Sequence, residues 1–150
     1  MYRIMVVDDE DYILKALNRV RATRPDWEVE TYTDAATALR RARTTVFDAV
    51  ITDYRMPDMD GIEMLQELRA MQPDTIRILL TGVIDIDTLM SAINQAGAFR
   101  FVPKPWDDEQ LLQSVEEGLK FRDILVENRI LAQTVRDQRE ALKSMGYEGN

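Results

Sequence analysis

The chain has 150 residues, of which 45% are hydrophobic, so it can build one compact domain with a full core and is not a disordered chain. A net charge of -8 argues against nucleic-acid binding by this chain alone, and fits either an ordinary solvated surface or a basic partner. Cysteine and histidine are both absent, which removes disulfides, thiolate metal sites, the commonest general base and a phosphohistidine carrier; any metal here is held by oxygen, which favours magnesium or calcium.

In chain order, Arg3 to Val7 is an apolar run of the parallel-strand type. Asp8, Asp9, Glu10 and Asp11 then crowd four carboxylates into a loop and helix start, with Asp11 as a candidate cap. Ile13, Leu14, Leu17 and Val20 form one apolar face of that helix, which stops by Pro25. Trp27 to Tyr32 alternates as a half-buried edge strand does. Thr33 and Asp34 open a second helix, with Ala35, Ala38, Leu39 and Ala42 inward, small residues suited to close packing on a sheet. Phe47 to Thr52 reads as a third strand that delivers Asp53 to its end. A Met-Pro-Asp-Met-Asp-Gly turn follows, and a third helix runs from Gly61 to before Pro73. Ile76 to Leu80 is a fourth strand, ending in Thr81 and Gly82. A fourth helix spans Asp85 to Gln95 and is closed by Gly97. Phe99 to Val102 is a short fifth strand, and Lys104, Pro105 and Trp106 make a turn in which Pro105 suits a cis peptide bond. Five strand–helix alternations predict an α/β fold: a doubly wound five-stranded parallel sheet, flavodoxin-like, of order 2-1-3-4-5. No signal sequence is visible and no apolar stretch approaches the ~20 residues of a membrane span, so a soluble cytoplasmic protein is expected.

The tail differs from the rest. From Asp107 to Lys143 there is no proline and one glycine, Gly118. A helix of that length spans roughly 55 Å, longer than the sheet it packs on. Leu111, Leu112, Val115 and Leu119 can cover the domain. Beyond them Phe121, Ile124, Asn128, Leu131, Val135, Gln138 and Leu142 recur at alternating spacings of three and four, a heptad seam with Asn128 where a polar residue can fix register in a parallel pair. Gln138 interrupts the seam, and a solvated helical linker is the plainer reading. The expected division is a domain over residues 1–120 and a helical extension over 121–150, a possible coiled coil leading to a further output domain, with Met145 to Asn150 frayed.

In such a sheet, ligands bind beyond the carboxyl ends of the strands where the winding reverses. Asp8, Asp9 and Asp53 all sit at such ends, on adjacent strands one and three. Three carboxylates together raise one another's pKa values, and a divalent cation relieves that; magnesium takes few protein carboxylates and leaves room for a phosphoryl oxygen. Taken alone, Asp8 and Asp9 read equally as capping and turn-forming acids. Lys104, at the end of the fifth strand, suits a phosphate oxygen or a neighbouring carboxylate. The Thr81 hydroxyl can serve another phosphate oxygen, or be a plain turn residue.

These stretches resemble the receiver domain of two-component response regulators: the pair Asp8-Asp9, then Asp53 followed by Met56-Pro57-Asp58-Met59-Asp60-Gly61, then Thr81-Gly82, then Lys104-Pro105. The resemblance covers about residues 2–120. It implies that Asp53 is the phosphoacceptor, that Asp8, Asp9, Asp53 and the backbone carbonyl of Arg55 bind Mg2+, and that Thr81 and Lys104 hold the phosphoryl group. It also implies that Phe101, three residues before Lys104, is a switch aromatic coupled to Thr81. The same resemblance implies a sensor histidine kinase, a phosphotransfer protein or a small phosphodonor as donor, and a chain that catalyses only its own phosphorylation and dephosphorylation. A homodimer through Phe121, Ile124, Asn128, Leu131, Val135 and Leu142 is expected, with no direct nucleic-acid or membrane contact.

One departure is specific to this chain. Arg55 and Val83 stand two positions after Asp53 and Thr81, where they can shield a phosphoryl group from water. A magnesium-dependent aspartyl phosphohydrolase would place a second carboxylate where Arg55 stands, as its acid and base. A flavodoxin-like binding module would need a phosphate-cradling loop where Asp8, Asp9 and Glu10 repel one. A scaffold receiver acting only by protein–protein contact would not need the full acceptor set.

Overall fold

Alternating apolar residues in β1 (Tyr2–Val7) serve two core layers at once. Ile4 and Val6 enter one, and Met5 and Val7 enter the other. The computed structural model describes residues 1–82 and 85–146, without the side chains of Tyr12, Ile13, Val20 and Arg21. Val83, residues 147–150 and the expected inward side chains Ile13 and Val20 therefore lie outside the described residues. The elements that follow are α1 (Asp11–Arg21), β2 (Trp27–Tyr32), α2 (Ala35–Ala42), β3 (Ala49–Asp53), α3 (Gly61–Met71), β4 (Ile76–Thr81), α4 (Ile86–Asn94), β5 (Arg100–Pro103) and α5 (Asp108–Ser144). The strands form one parallel sheet in the order β2-β1-β3-β4-β5, as the alternation predicts.

The helices cover both faces. Leu17 of α1 and Leu111, Leu112, Val115 and Leu119 of α5 pack with Ile4, Val6, Ile51, Ile78 and Leu80. Ala35, Ala38, Leu39 and Ala42 of α2 pack with Met64, Leu65 and Leu68 of α3 and Ala92 of α4 on the opposite face. Each fully buried leucine here contributes about 1.5–3 kcal/mol. The inward side of α2 is mostly alanine, so its backbone can lie close to the sheet.

Much of the acidity is structural. Asp34, Asp60, Asp85 and Asp107 are the N-caps of α2, α3, α4 and α5, and each accepts a backbone N–H from the first turn. Several boundaries shift from the sequence reading. Asp85 and Asp107 cap their helices instead of entering them. Asp11 lies inside α1 and is not its cap. Strand β3 begins at Ala49, because Phe47 N–H is taken by the Gln72 side chain at 2.9 Å. It extends to Asp53, whose register partner is Leu80. Strand β5 begins at Arg100, and the Lys104–Pro105 bond is cis as expected.

Candidate functional site

Strands β1 and β3 are neighbours with Val7 opposite Thr52, so Asp8 and Asp53 leave the carboxyl-terminal rim side by side. Asp8 is 0% exposed and Asp53 6%, while Asp9 faces solvent. One carboxylate oxygen from each of Asp8, Asp9 and Asp53 lies within 4.8 Å of the others. On the far side of β4, Thr81 pairs with Pro103, and Lys104 N–H donates to the Thr81 carbonyl at 2.7 Å. That register aims the Lys104 side chain across the rim. Its Nζ lies 3.2 Å from Asp8 Oδ2 and 3.1 Å from Asp53 Oδ1. The Lys104 ammonium thus pairs with two of three clustered carboxylates, and a second cation has an electrostatic reason to be there.

Burial pushes the Asp8 carboxyl up to about 6; the Asp53 charge adds to this, while the Glu10 N–H and Lys104 oppose it. Asp53 is also pushed up by burial, with Lys104 holding it back. Lys104 is raised: burial disfavours its charge, but the hydrogen bond and charge of Asp53 and the charge of Asp8 outweigh it. The donor set of hard carboxylate oxygens fits magnesium or another oxygen-seeking divalent ion.

The turn after Asp53 has a geometric job. Gly61 N–H donates to the Tyr54 carbonyl at 2.8 Å, and Asp58 takes the left-handed φ of 69° that lets the chain reverse. A side chain at Gly61 would fall on the Asp53 carbonyl oxygen and lie 3.0 Å from Leu79 Cδ1. Glycine there lets α3 start against the backbone of the acceptor.

The expected site residues fall into three groups. Asp8, Asp9, Asp53 and Lys104 come together. Thr81 is buried at the end of the adjoining strand, where its hydroxyl donates to the Gly82 carbonyl at 3.2 Å. Arg55 is exposed on the lip of an open cleft of about 460 Å³ lined also by Asp9, Glu10, Asp53, Tyr54, Gly82 and Lys104. Phe101 stands apart from the carboxylates, half-buried opposite Leu79 and packed on the α3–α4 face. The tail residues Phe121, Ile124, Asn128, Leu131, Val135 and Leu142 are exposed along α5, away from this cleft. Two contributors were not foreseen. The Glu10 N–H binds Asp8 Oδ1 at 2.9 Å and fixes the buried carboxylate. Such a bond from a residue to the one two places on is a recurrent aspartate turn, so the Asp8-Asp9-Glu10 run carried that signal. Tyr54, next to Asp53, is the second.

Comparison with known proteins agrees with this geometry. Residues 4–116 match the response regulator receiver domain. The hydrogenase transcriptional regulatory protein HoxA of Bradyrhizobium diazoefficiens is 32% identical over 118 residues, which are 79% of this chain and 24% of that protein. The regulatory protein AtoC of Escherichia coli K12 is 35% identical over 133 residues, 89% of this chain and 28% of AtoC. Among solved structures, the signal receiver domain of an HD domain-containing protein from Pseudomonas fluorescens Pf-5 superposes with a TM-score of 0.77 at 33% identity, covering 81% of this chain and 97% of that one. The chain therefore spans about a quarter of the length of these curated relatives. With the fold, the rim of acids and the family match in agreement, the chain belongs to the response regulator receiver domains and has their phosphoacceptor role in two-component signalling.

Proposed function

We propose that Asp53 is the phosphoacceptor, that Asp8, Asp9, Asp53 and the backbone carbonyl of Arg55 hold Mg2+, and that Lys104 and Thr81 receive the phosphoryl oxygens. The observation that carries this reading is Lys104 Nζ at 3.1 Å from Asp53, beside an acidic trio within 4.8 Å. Asp53 attacks the phosphorus of a phosphohistidine on a sensor kinase or phosphotransfer protein. A new O–P bond forms, the P–N bond breaks, and the imidazole leaves with its electron pair and takes a proton from water. Bound magnesium would neutralise charge on the transferring group. Lys104 then exchanges a carboxylate partner for a phosphoryl oxygen. The Thr81 hydroxyl turns from the Gly82 carbonyl toward the phosphate, and Phe101 moves into the space vacated. Arg55 stands where an aspartyl phosphohydrolase needs a carboxylate, which favours a chain that turns over only its own phosphoryl group, and slowly. Loss of label within seconds would contradict the slow turnover.

The domain boundary is proposed at residue 120, with 121–150 as a linker helix that pairs two copies in a parallel coiled coil. The supporting observation is the exposure of Phe121, Ile124, Leu131, Val135 and Leu142, at 46%, 55%, 56%, 46% and 42%. The net charge of -8 over the 150 residues speaks against nucleic-acid contact by this chain itself, and HoxA is by name a transcriptional regulator, so control of a transcriptional output suits both. No helix among the described residues is long and apolar enough to cross a membrane. The test is incubation with magnesium and a small phosphodonor, read by mass. A base-labile gain of one phosphoryl group is expected, lost in Asp53→Asn; equal labelling of that variant refutes the assignment.

A further inference from the structure

Helix α5 loses its apolar support long before it ends. Its buried apolar side chains are Leu111, Leu112, Val115 and Leu119. Beyond Leu119 none of the described residues is buried, and only Arg122 and Val126 are half-buried. Polar ties from the amino-terminal side of every strand reach this helix, two of them, to Glu116 and Glu117, before Leu119 and three, to Arg122, Asp123 and Arg129, beyond it. Arg24, before β2, pairs with Glu116. Tyr2, the first residue of β1, donates its hydroxyl to Asp123 at 2.6 Å. Asp48, before β3, pairs with Arg122 at 3.0 Å. Asp74, before β4, holds Arg129 through two bonds of 2.6 Å. Arg100, at the start of β5, pairs with Glu117.

The placement follows from the fold. In a parallel sheet all amino ends share one rim, and a helix returning from the last strand leaves past that rim. Val115, Arg122 and Arg129 are seven residues apart and lie on one line along the helix. Ile124 and Leu131 each follow an arginine by two residues, which turns them about 200° to the far side. From Ile124 onward the apolar seam therefore turns away from the face that the rim grips, whereas Phe121 still stacks on Phe99 of the body with ring centroids 5.4 Å apart.

We infer that the amino-terminal rim is a collar that divides α5 into a body-held segment ending at the turn of Arg129 and a partner-dependent segment beyond it. Exposed ion pairs are individually weak, but a bidentate guanidinium–carboxylate pair joined to a network is the favourable case. A helix with neither collar nor core has only propensity to hold it, and isolated stretches shorter than about 12–15 residues are marginal in water. The stretch after Arg129 is of that size. Its dependence on a second copy rests on the pairing proposed above; the collar does not.

The test is residue-resolved amide hydrogen exchange on the full chain over a dilution series, with sedimentation on the same samples. In the parent, protection should run through the turn of Arg129 at every concentration, and should fall on dilution beyond it. Asp74→Asn and Arg129→Gln should each speed exchange over residues 122–132 by about two- to fivefold, leaving the strands unchanged. The double variant should do no more than either alone, the signature of a direct tie. Protection that stops at Leu119 in the parent, protection unbroken to Ser144 in a sedimenting monomer, or variants without effect would each overturn the collar. A monomer at all concentrations with the boundary at Arg129 would overturn the pairing and support the collar.

Discussion

Asp8→Asn should stabilise the metal-free protein at neutral pH, although it deletes a residue proposed to bind the metal. Burial and the neighbouring Asp53 lift the Asp8 carboxyl from an ordinary 3.8 to about 6. The folded chain therefore holds that proton more tightly than the unfolded chain. Between these two values stability falls as pH rises, and above pH 6 the full penalty applies, about 3 kcal/mol for a shift of roughly two units. Asparagine removes the charge and keeps an oxygen for the Glu10 N–H. Lys104 retains Asp53 at 3.1 Å, and its lost tie to Asp8 is already counted in the value of about 6; burial of the new amide N–H groups offsets about 1–2 kcal/mol of the gain. The net of about 1–2 kcal/mol corresponds to a rise in Tm of about 3–6 °C for a chain of this size. The assay is thermal unfolding by circular dichroism in EDTA. The variant should melt higher at pH 7.5, and the gap should close toward pH 4.5, where Asp8 in the parent is protonated. Millimolar magnesium should raise the parent's Tm more than the variant's, because binding to the folded state alone stabilises it. A variant that melts below the parent at pH 7.5 in EDTA would refute the reasoning.

Gly61→Ala should destabilise by about 1–3 kcal/mol and slow phosphodonor labelling, since its methyl meets the Asp53 carbonyl oxygen; denaturant unfolding and labelling rates check the two parts. Gly118→Ala should also destabilise, by about 1–2 kcal/mol despite the better helix propensity of alanine, because its Cβ would lie 2.6 Å from Ile76 Cγ2; thermal melts read this directly. Asp34→Ala removes the acceptor of the Thr37 N–H at 2.8 Å and should lower Tm by the equivalent of about 1 kcal/mol, without changing labelling of Asp53.

Local periodicity made the strands, their order and the rim residues legible. Three apolar runs ended in a charge and a fourth in Thr81, and a parallel sheet puts all such ends together. That logic located Asp8, Asp53, Thr81 and Lys104 at one rim. It could not say that the Lys104 ammonium spans from β5 to two carboxylates, because side-chain reach depends on register, and register is tertiary. The same limit explains the early start assigned to β3. The Gln72 side chain reaches Phe47 across the α3–β4 turn, a pairing between positions 25 residues apart that no window along the sequence contains. Gly61 looked like a turn residue, and its close approach to Asp53 is visible only when α3 is set against β3. In α5 the apolar seam was legible from spacing, whereas nothing in the spacing marked Arg122 and Arg129 as tied to the body. Their partners Asp48 and Asp74 lie in loops 74 and 55 residues earlier in the chain.

The two rims differ in what they can transmit. Strand β4 carries Thr81 at one end, and Asp74 lies just before its other end. About 20 Å of backbone separates these ends at ~3.3 Å per residue. The strand is paired on both sides, to β3 and to β5, so it cannot slide without breaking its ladder. A hydroxyl rotation at Thr81 therefore does not reach Arg129 along the strand. The looser route is lateral: Phe101 lies in edge strand β5, half-buried on the α4 side, and Ile86, Met90 and Ile93 of α4 are 76%, 48% and 45% exposed. If the proposed collar holds, α5 is gripped at the amino-terminal rim while the exposed flank of α4 lies at the other end of the sheet. The direction of α5 would then be set at the amino-terminal rim, and a shift of Phe101 would act on the α4 side of the sheet, the core layer opposite the one that seats the first turns of α5.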